Sequence, residues 1–105
     1  MMGSDTMSGV GTAAEDLRES VVIINQRGLH ARASAKFVNA VAKLPSSVSV
    51  RVIKDGNEAA GGSILGLMML GAARGDTVEI VVSGEGAAAA LAKVAGLVKD
   101  GFGED

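Results

Sequence analysis

Val48, Val50 and Val52 alternate with Ser49 and Arg51, and Asp55-Gly56 follows shortly after. This stretch restricts the fold more than any other. A period of two puts the valines on one face of a strand and the polar residues on the other, so the strand is wet on one side. Asp-Gly is a hairpin signal, because both central residues of the preferred two-residue turn need positive φ. Residues 46–54 therefore predict a half-buried strand, and "NEAAGG" a short antiparallel return. The run "DTVEIVVSG", 76–84, repeats the alternation through Val78, Ile80 and Val82, and "ESVVII", 19–24, is a further β-branched strand.

Between these strands the period changes. Ala33, Phe37, Val41 and Leu44 recur at three- and four-residue steps, which predicts a helix over 31–44 stopped by Pro45. Ser63 precedes the apolar run "ILGLMMLG" and reads as the N-cap of a short helix with Gly71 as its stop. In that run Ile64, Leu67 and Leu70 are expected to face the core, and Leu65 and Met68 to face outward. Leu91, Val94, Leu97 and Val98 set the register of a last, alanine-rich helix over 85–100, ended by Gly101. The order βαββαβα predicts an α+β fold, a four-stranded antiparallel sheet with three helices on one face. One domain, 18–105, is expected after a small, polar and Gly-rich flexible extension, 1–17.

Composition removes several function classes. The chain has no cysteine and a single histidine, so a disulfide framework, a thiol nucleophile and a structural zinc site are not expected, nor is any cofactor. No apolar run approaches the roughly 20 residues of a membrane span, and the first twenty residues lack the pattern of a secretory signal. A soluble, cytoplasmic, monomeric protein is expected. Phe37 and Phe102 are the only aromatics and no basic cluster occurs, which disfavours nucleic acid. The net charge of −2 is uneven: residues 21–99 carry +4 between two ends of −3 each. A mildly basic body suits an acidic partner or a phosphate, and equally an ordinary solvated surface.

The one histidine, His30, stands at the mouth of the first helix in "NQRGLHARASAKFV", with Arg32 two residues on. First-turn N–H groups lack intrahelical partners and favour anions. Arg32 adds a planar, multi-donor guanidinium suited to phosphate. Imidazole titrates near neutrality and can act as a nucleophile, so a phosphoryl group carried on His30 is one reading. A second is a hydrolytic site with His30 as base, for which Ser34 is the only nearby nucleophile. A third is a histidine that merely caps a helix in an interaction domain.

The segment "GLHARASAKFV" resembles the active-site segment of the HPr family, the histidine-containing phosphocarriers of the bacterial phosphotransferase system. "GGSILGLMMLGAARGDTVEI" resembles the same family's second signature, a regulatory serine followed by a short helix and a strand. The likeness covers about 21–100, and it implies an open-faced β-sandwich and a carrier rather than a free-standing enzyme. It implies that His30 accepts phosphate through Nδ1 from enzyme I, itself charged by phosphoenolpyruvate, and passes it to enzyme IIA proteins, with Arg32 stabilising the phosphate. The nitrogen-related paralogue, with a regulatory acceptor, is the alternative within the family. Ser63 aligns with the serine modified by the HPr kinase/phosphorylase; a plain N-cap is its other reading. Leu65 and Met68 fall in the family's hydrophobic docking patch, with Arg27 and Lys36 as a basic rim. Ala33 departs from the family, many members of which carry proline there.

Overall fold

A computed structural model describes residues 16–104. Its alternating segments are strands: β1 (Leu17–Val22), β2 (Ser49–Lys54), β3 (Asn57–Ala60) and β4 (Thr77–Ser83). Its three- and four-residue repeats are helices: α1 (Ala31–Ala42), α2 (Ile64–Met69) and α3 (Ala87–Lys99), with a 3₁₀ turn at Gly101–Gly103. The strands form one sheet in the order β1-β4-β2-β3, antiparallel at each pairing. Asp55 and Gly56 both have positive φ, as the tight turn between β2 and β3 requires.

Register sorts the two faces. Val21 pairs with Val78, Val50 with Val82 and Val52 with Ile80, and all six join one core with Phe37, Leu67, Val94 and Val98 from the helices. The three helices thus cover one face and leave the other open, as expected. On the open face, Arg18 pairs with Glu79 and Arg51 bridges Asp16 and Glu58. Val81 is also fully buried, although it lies on this open face. It stands in register between Arg18 and Arg51, whose long stems can cover an apolar neighbour.

Several boundaries differ from the sequence expectation, among them the start of β2, which lies at Ser49 rather than at residue 46, so that Val48 falls in the loop before the strand. β1 starts at Leu17 and ends at Val22, two residues earlier than "ESVVII" implies. Asp16 belongs to the sheet as well: it accepts a 2.6 Å hydrogen bond from the Ser83 hydroxyl and a 2.9 Å bond from Arg51. The Ser83 bond, with the charges of Arg51 and Arg18, holds its carboxyl below the ordinary 3.8. Asp16 and Leu17 are thus joined to the sheet, whereas 1–15, the rest of the expected extension, lie outside the described residues. α1 ends at Ala42, and the amides of Lys43 and Leu44 tighten onto Ala40 and Val41 before Pro45.

The interior of α2 also departs from expectation. Leu67 and Leu70 are buried, but Ile64 is 41% exposed. A six-residue helix makes fewer than two turns, and only Leu67 within it is enclosed.

Candidate functional site

Residues 25–29 carry the chain from β1 into α1, and they are pinned from two sides. Gly28 has φ +63°, and a Cβ there would lie 2.3 Å from the carbonyl oxygen of Ala72, so no side chain fits. The close approach lets the Leu29 amide donate to that same oxygen at 3.0 Å. Asn25, 1% exposed, donates through Nδ2 to the Gly28 carbonyl at 2.8 Å. The sequence offered no sign that Asn25 is structural.

His30 is the N-cap of α1, with extended backbone (φ −76°, ψ −178°). Its Nδ1 accepts from the Arg32 amide at 3.3 Å, taking the place that a Ser or Asp oxygen has in most caps. Its Nε2 lies 3.2 and 3.1 Å from the two carboxylate oxygens of Glu104. Read from sequence, His30 has no carboxylate near it; the fold supplies one from the other end of the domain. The ring is 18% exposed, so the site is open at one edge.

Glu104 reaches His30 because the chain curls back after α3. Gly101, Phe102 and Gly103 all have positive φ, between 60° and 71°. For Phe102 this conformation costs roughly 1–2 kcal/mol. Burial of its ring, among the core residues, offsets that by roughly 1.5–3 kcal/mol. Lys36 holds the turn from α1, donating to the Phe102 carbonyl at 2.8 Å. Asn25 Nδ2 also donates to Glu104, at 3.1 Å. The His30 hydrogen bond, then Asn25 and the charges of His30 and Lys36, hold the Glu104 carboxyl below its ordinary 4.5 against the opposing effect of partial burial. A lone aromatic between two glycines after the last helix is the signal that could have pointed to this turn.

The other candidate residues fall as follows. Arg32 is exposed, and its guanidinium pairs with no carboxylate among the described residues. Ser34 is fully buried and its hydroxyl donates to the Leu29 carbonyl at 3.2 Å, so it does not face His30 as a nucleophile. That removes Ser34, the only nearby candidate, as the nucleophile of a hydrolytic site. Ser63 caps α2: its Oγ accepts from the Gly66 amide at 2.9 Å, and the residue is half-buried. Leu65 and Met68 are exposed as expected, and Met69, not singled out by the sequence, is the most exposed of the large apolar side chains at 77%. Arg27 is exposed on the loop before Gly28. Lys36 is half-buried and tethered to the C-terminal turn.

α2 packs against α1, and Ala72, just beyond α2, is bonded to the residue preceding His30. The His30 loop and the apolar surface of α2 are thus joined directly. Among the described residues no group of three or more His, Cys, Asp or Glu side chains could hold a metal ion, and no helix is long and apolar enough to cross a membrane.

Comparison with known proteins agrees with this arrangement. The family model described as the PTS HPr component phosphorylation site matches residues 17–100. The phosphocarrier protein HPr of Neisseria meningitidis serogroup A is 42% identical over 88 residues, 84% of this chain and 97% of that protein. The phosphocarrier protein NPr of Escherichia coli K12 is 34% identical over 89 residues, 85% of this chain and 98% of that protein. The crystal structure of HPr-C-His from Thermoanaerobacter tengcongensis superposes with a TM-score of 0.78 at 32% identity, covering 85% of this chain and 98% of that one. Two sequence signatures, an open-faced sheet under three helices and a family match over residues 17–100 lead to one conclusion: the chain belongs to the HPr family of phosphotransferase-system phosphocarriers.

Proposed function

We propose that the chain carries a phosphoryl group on Nδ1 of His30, from enzyme I to enzyme IIA proteins. The observation that carries this reading is the direction of Nδ1, which faces the amide of Arg32 in the first turn of α1. A phosphoryl group there meets the positive end of the helix and lies within the compass of the exposed Arg32 guanidinium. Transfer of this kind depends on positioning and charge stabilisation, which is what this site offers.

Enzyme I docks on the exposed face of α2. Leu65 and Met68, joined by Ile64 and Met69, form an apolar surface of flexible side chains suited to several partners. The exposed Arg27 adds positive charge on the His30 loop, Lys36 adds it on the side of the C-terminal turn it tethers, and the Leu29–Ala72 hydrogen bond keeps the α2 surface in register with His30. Ser63 is the target of the ATP-dependent HPr kinase/phosphorylase. Phosphate there adds about −2 charge at the edge of the docking surface and weakens binding to an acidic partner without a change of fold. The 34% identity to an NPr supports a second reading, in which the same carrier serves a regulatory acceptor.

The test is incubation with phosphoenolpyruvate and enzyme I. His30 should gain acid-labile, base-stable phosphate, and a His30→Ala variant that still takes up this label overturns the reading. ATP and the kinase should add acid-stable phosphate that is absent in Ser63→Ala.

A further inference from the structure

We propose that Glu104 is a positioning residue for phosphoryl transfer. It holds the neutral His30 ring with its proton on Nε2, leaving the Nδ1 lone pair as the nucleophile, and it balances the positive charge that the ring acquires when Nδ1 is phosphorylated. The inference rests on the phosphocarrier reading above.

The two ring contacts determine the tautomer together. A backbone N–H is always a donor, so Nδ1, 3.3 Å from the Arg32 amide, must accept. An ionised carboxylate can only accept, so Nε2, between the two Glu104 oxygens, must donate. Only the Nε2–H tautomer satisfies both neighbours. The carboxylate accepts from the buried Asn25 on Oε1, and the turn that carries it is anchored by the buried Phe102 ring and by Lys36 on the Phe102 carbonyl.

The chemistry follows without any proton changing place. The Nδ1 lone pair forms the N–P bond while the donor's bond to phosphorus breaks, and that electron pair stays on the donor's leaving atom. Nε2 keeps its hydrogen, so the ring becomes cationic beside Glu104. When phosphate passes to the acceptor, the N–P electron pair returns to Nδ1 and the charge is lost again. Glu104 stands on the Nε2 side of the ring, across from the phosphate, so its attraction for the cationic ring acts at shorter range than its repulsion of the phosphate.

The experiment uses the full chain with ¹⁵N-labelled histidine. Long-range ¹H–¹⁵N spectra of the neutral ring read the tautomer, and phosphate uptake from phosphoenolpyruvate and enzyme I reads the rate. Wild type should show the proton on Nε2 alone. Glu104→Ala should populate the Nδ1–H form and slow uptake by about 10–100-fold, the range found where partners orient functional histidines at metal sites. Glu104→Gln, whose amide oxygen still accepts, should retain the tautomer and recover part of the rate. A wild-type ring protonated on Nδ1, or a Glu104→Ala variant with wild-type tautomer and rate, overturns the proposal. A wild type that takes no phosphate while its tautomer still depends on Glu104 overturns the carrier reading, and with it the catalytic half of the proposal, but upholds tautomer control.

Discussion

The Leu29 amide donates to the Ala72 carbonyl at 3.0 Å, joining the residue before His30 to the segment that follows α2. The bond exists because Gly28 lets two backbones meet where a Cβ would be 2.3 Å from an oxygen. Gly28→Ala should therefore destabilise the domain by more than about 1 kcal/mol, from the left-handed φ and the clash together. Phosphate uptake should fall as well, since the His30 loop and the α2 surface shift against each other. Urea unfolding and the enzyme I assay on one preparation check both effects.

Arg32 is exposed and makes no ion pair among the described residues, so its removal costs the fold little. A charge-assisted hydrogen bond to the phosphoryl group is worth roughly 1.5–3 kcal/mol. Arg32→Ala should slow phosphotransfer by about 10–100-fold with an unchanged melting temperature. Arg32→Lys should recover only part of the loss, because an ammonium lacks the planar fork. Equal rates in all three proteins would remove Arg32 from the site.

Leu65 and Leu67 are two residues apart on α2 and should behave in opposite ways. Leu65 is 67% exposed and Leu67 is fully buried. Leu67→Ala should cost about 2–5 kcal/mol of stability. Leu65→Ser, alone or with Met68→Ser, should change stability by no more than about 0.5 kcal/mol and raise the enzyme I concentration needed for half-maximal uptake. Unaltered uptake in the double variant would move the docking surface elsewhere.

The Glu104 contact carries a pH signature. Its carboxyl titrates lower in the folded chain than its ordinary 4.5, chiefly because His30 hydrogen-bonds to it. The unfolded chain thus binds the proton more readily. The resulting stabilisation is fully present above about pH 4.5 and is lost as pH falls through the lowered folded value. Melting temperatures of wild type and Glu104→Gln should differ at neutral pH and converge as the solution is acidified through the lowered carboxyl titration. A gap that stays constant through that range would mean the carboxylate charge does not stabilise the turn.

Much of the architecture is local in origin and could be read from the chain. Alternation at Val50–Val52 and Val78–Val82 reflects the two faces of a strand, and the helical repeat from Ala33 to Val41 reflects the pitch of a helix. Asp55-Gly56, Pro45, Ser63 and Gly71 act on their nearest neighbours, so their effects appear where their letters stand. The His30–Arg32 pair is legible for the same reason, since both lie in one turn of one helix. Burial and pairing across the chain depend instead on the path taken between elements. Ile64 shares its spacing with Leu67, yet the end of a short helix leaves it in solvent. Val81 sits on the wet face, yet two arginines flank it in register. Glu104 lies 74 positions from His30 and reads in sequence as one charge of an acidic end. Only the left-handed turn at Gly101–Gly103, anchored by the buried Phe102, brings that carboxylate to the ring.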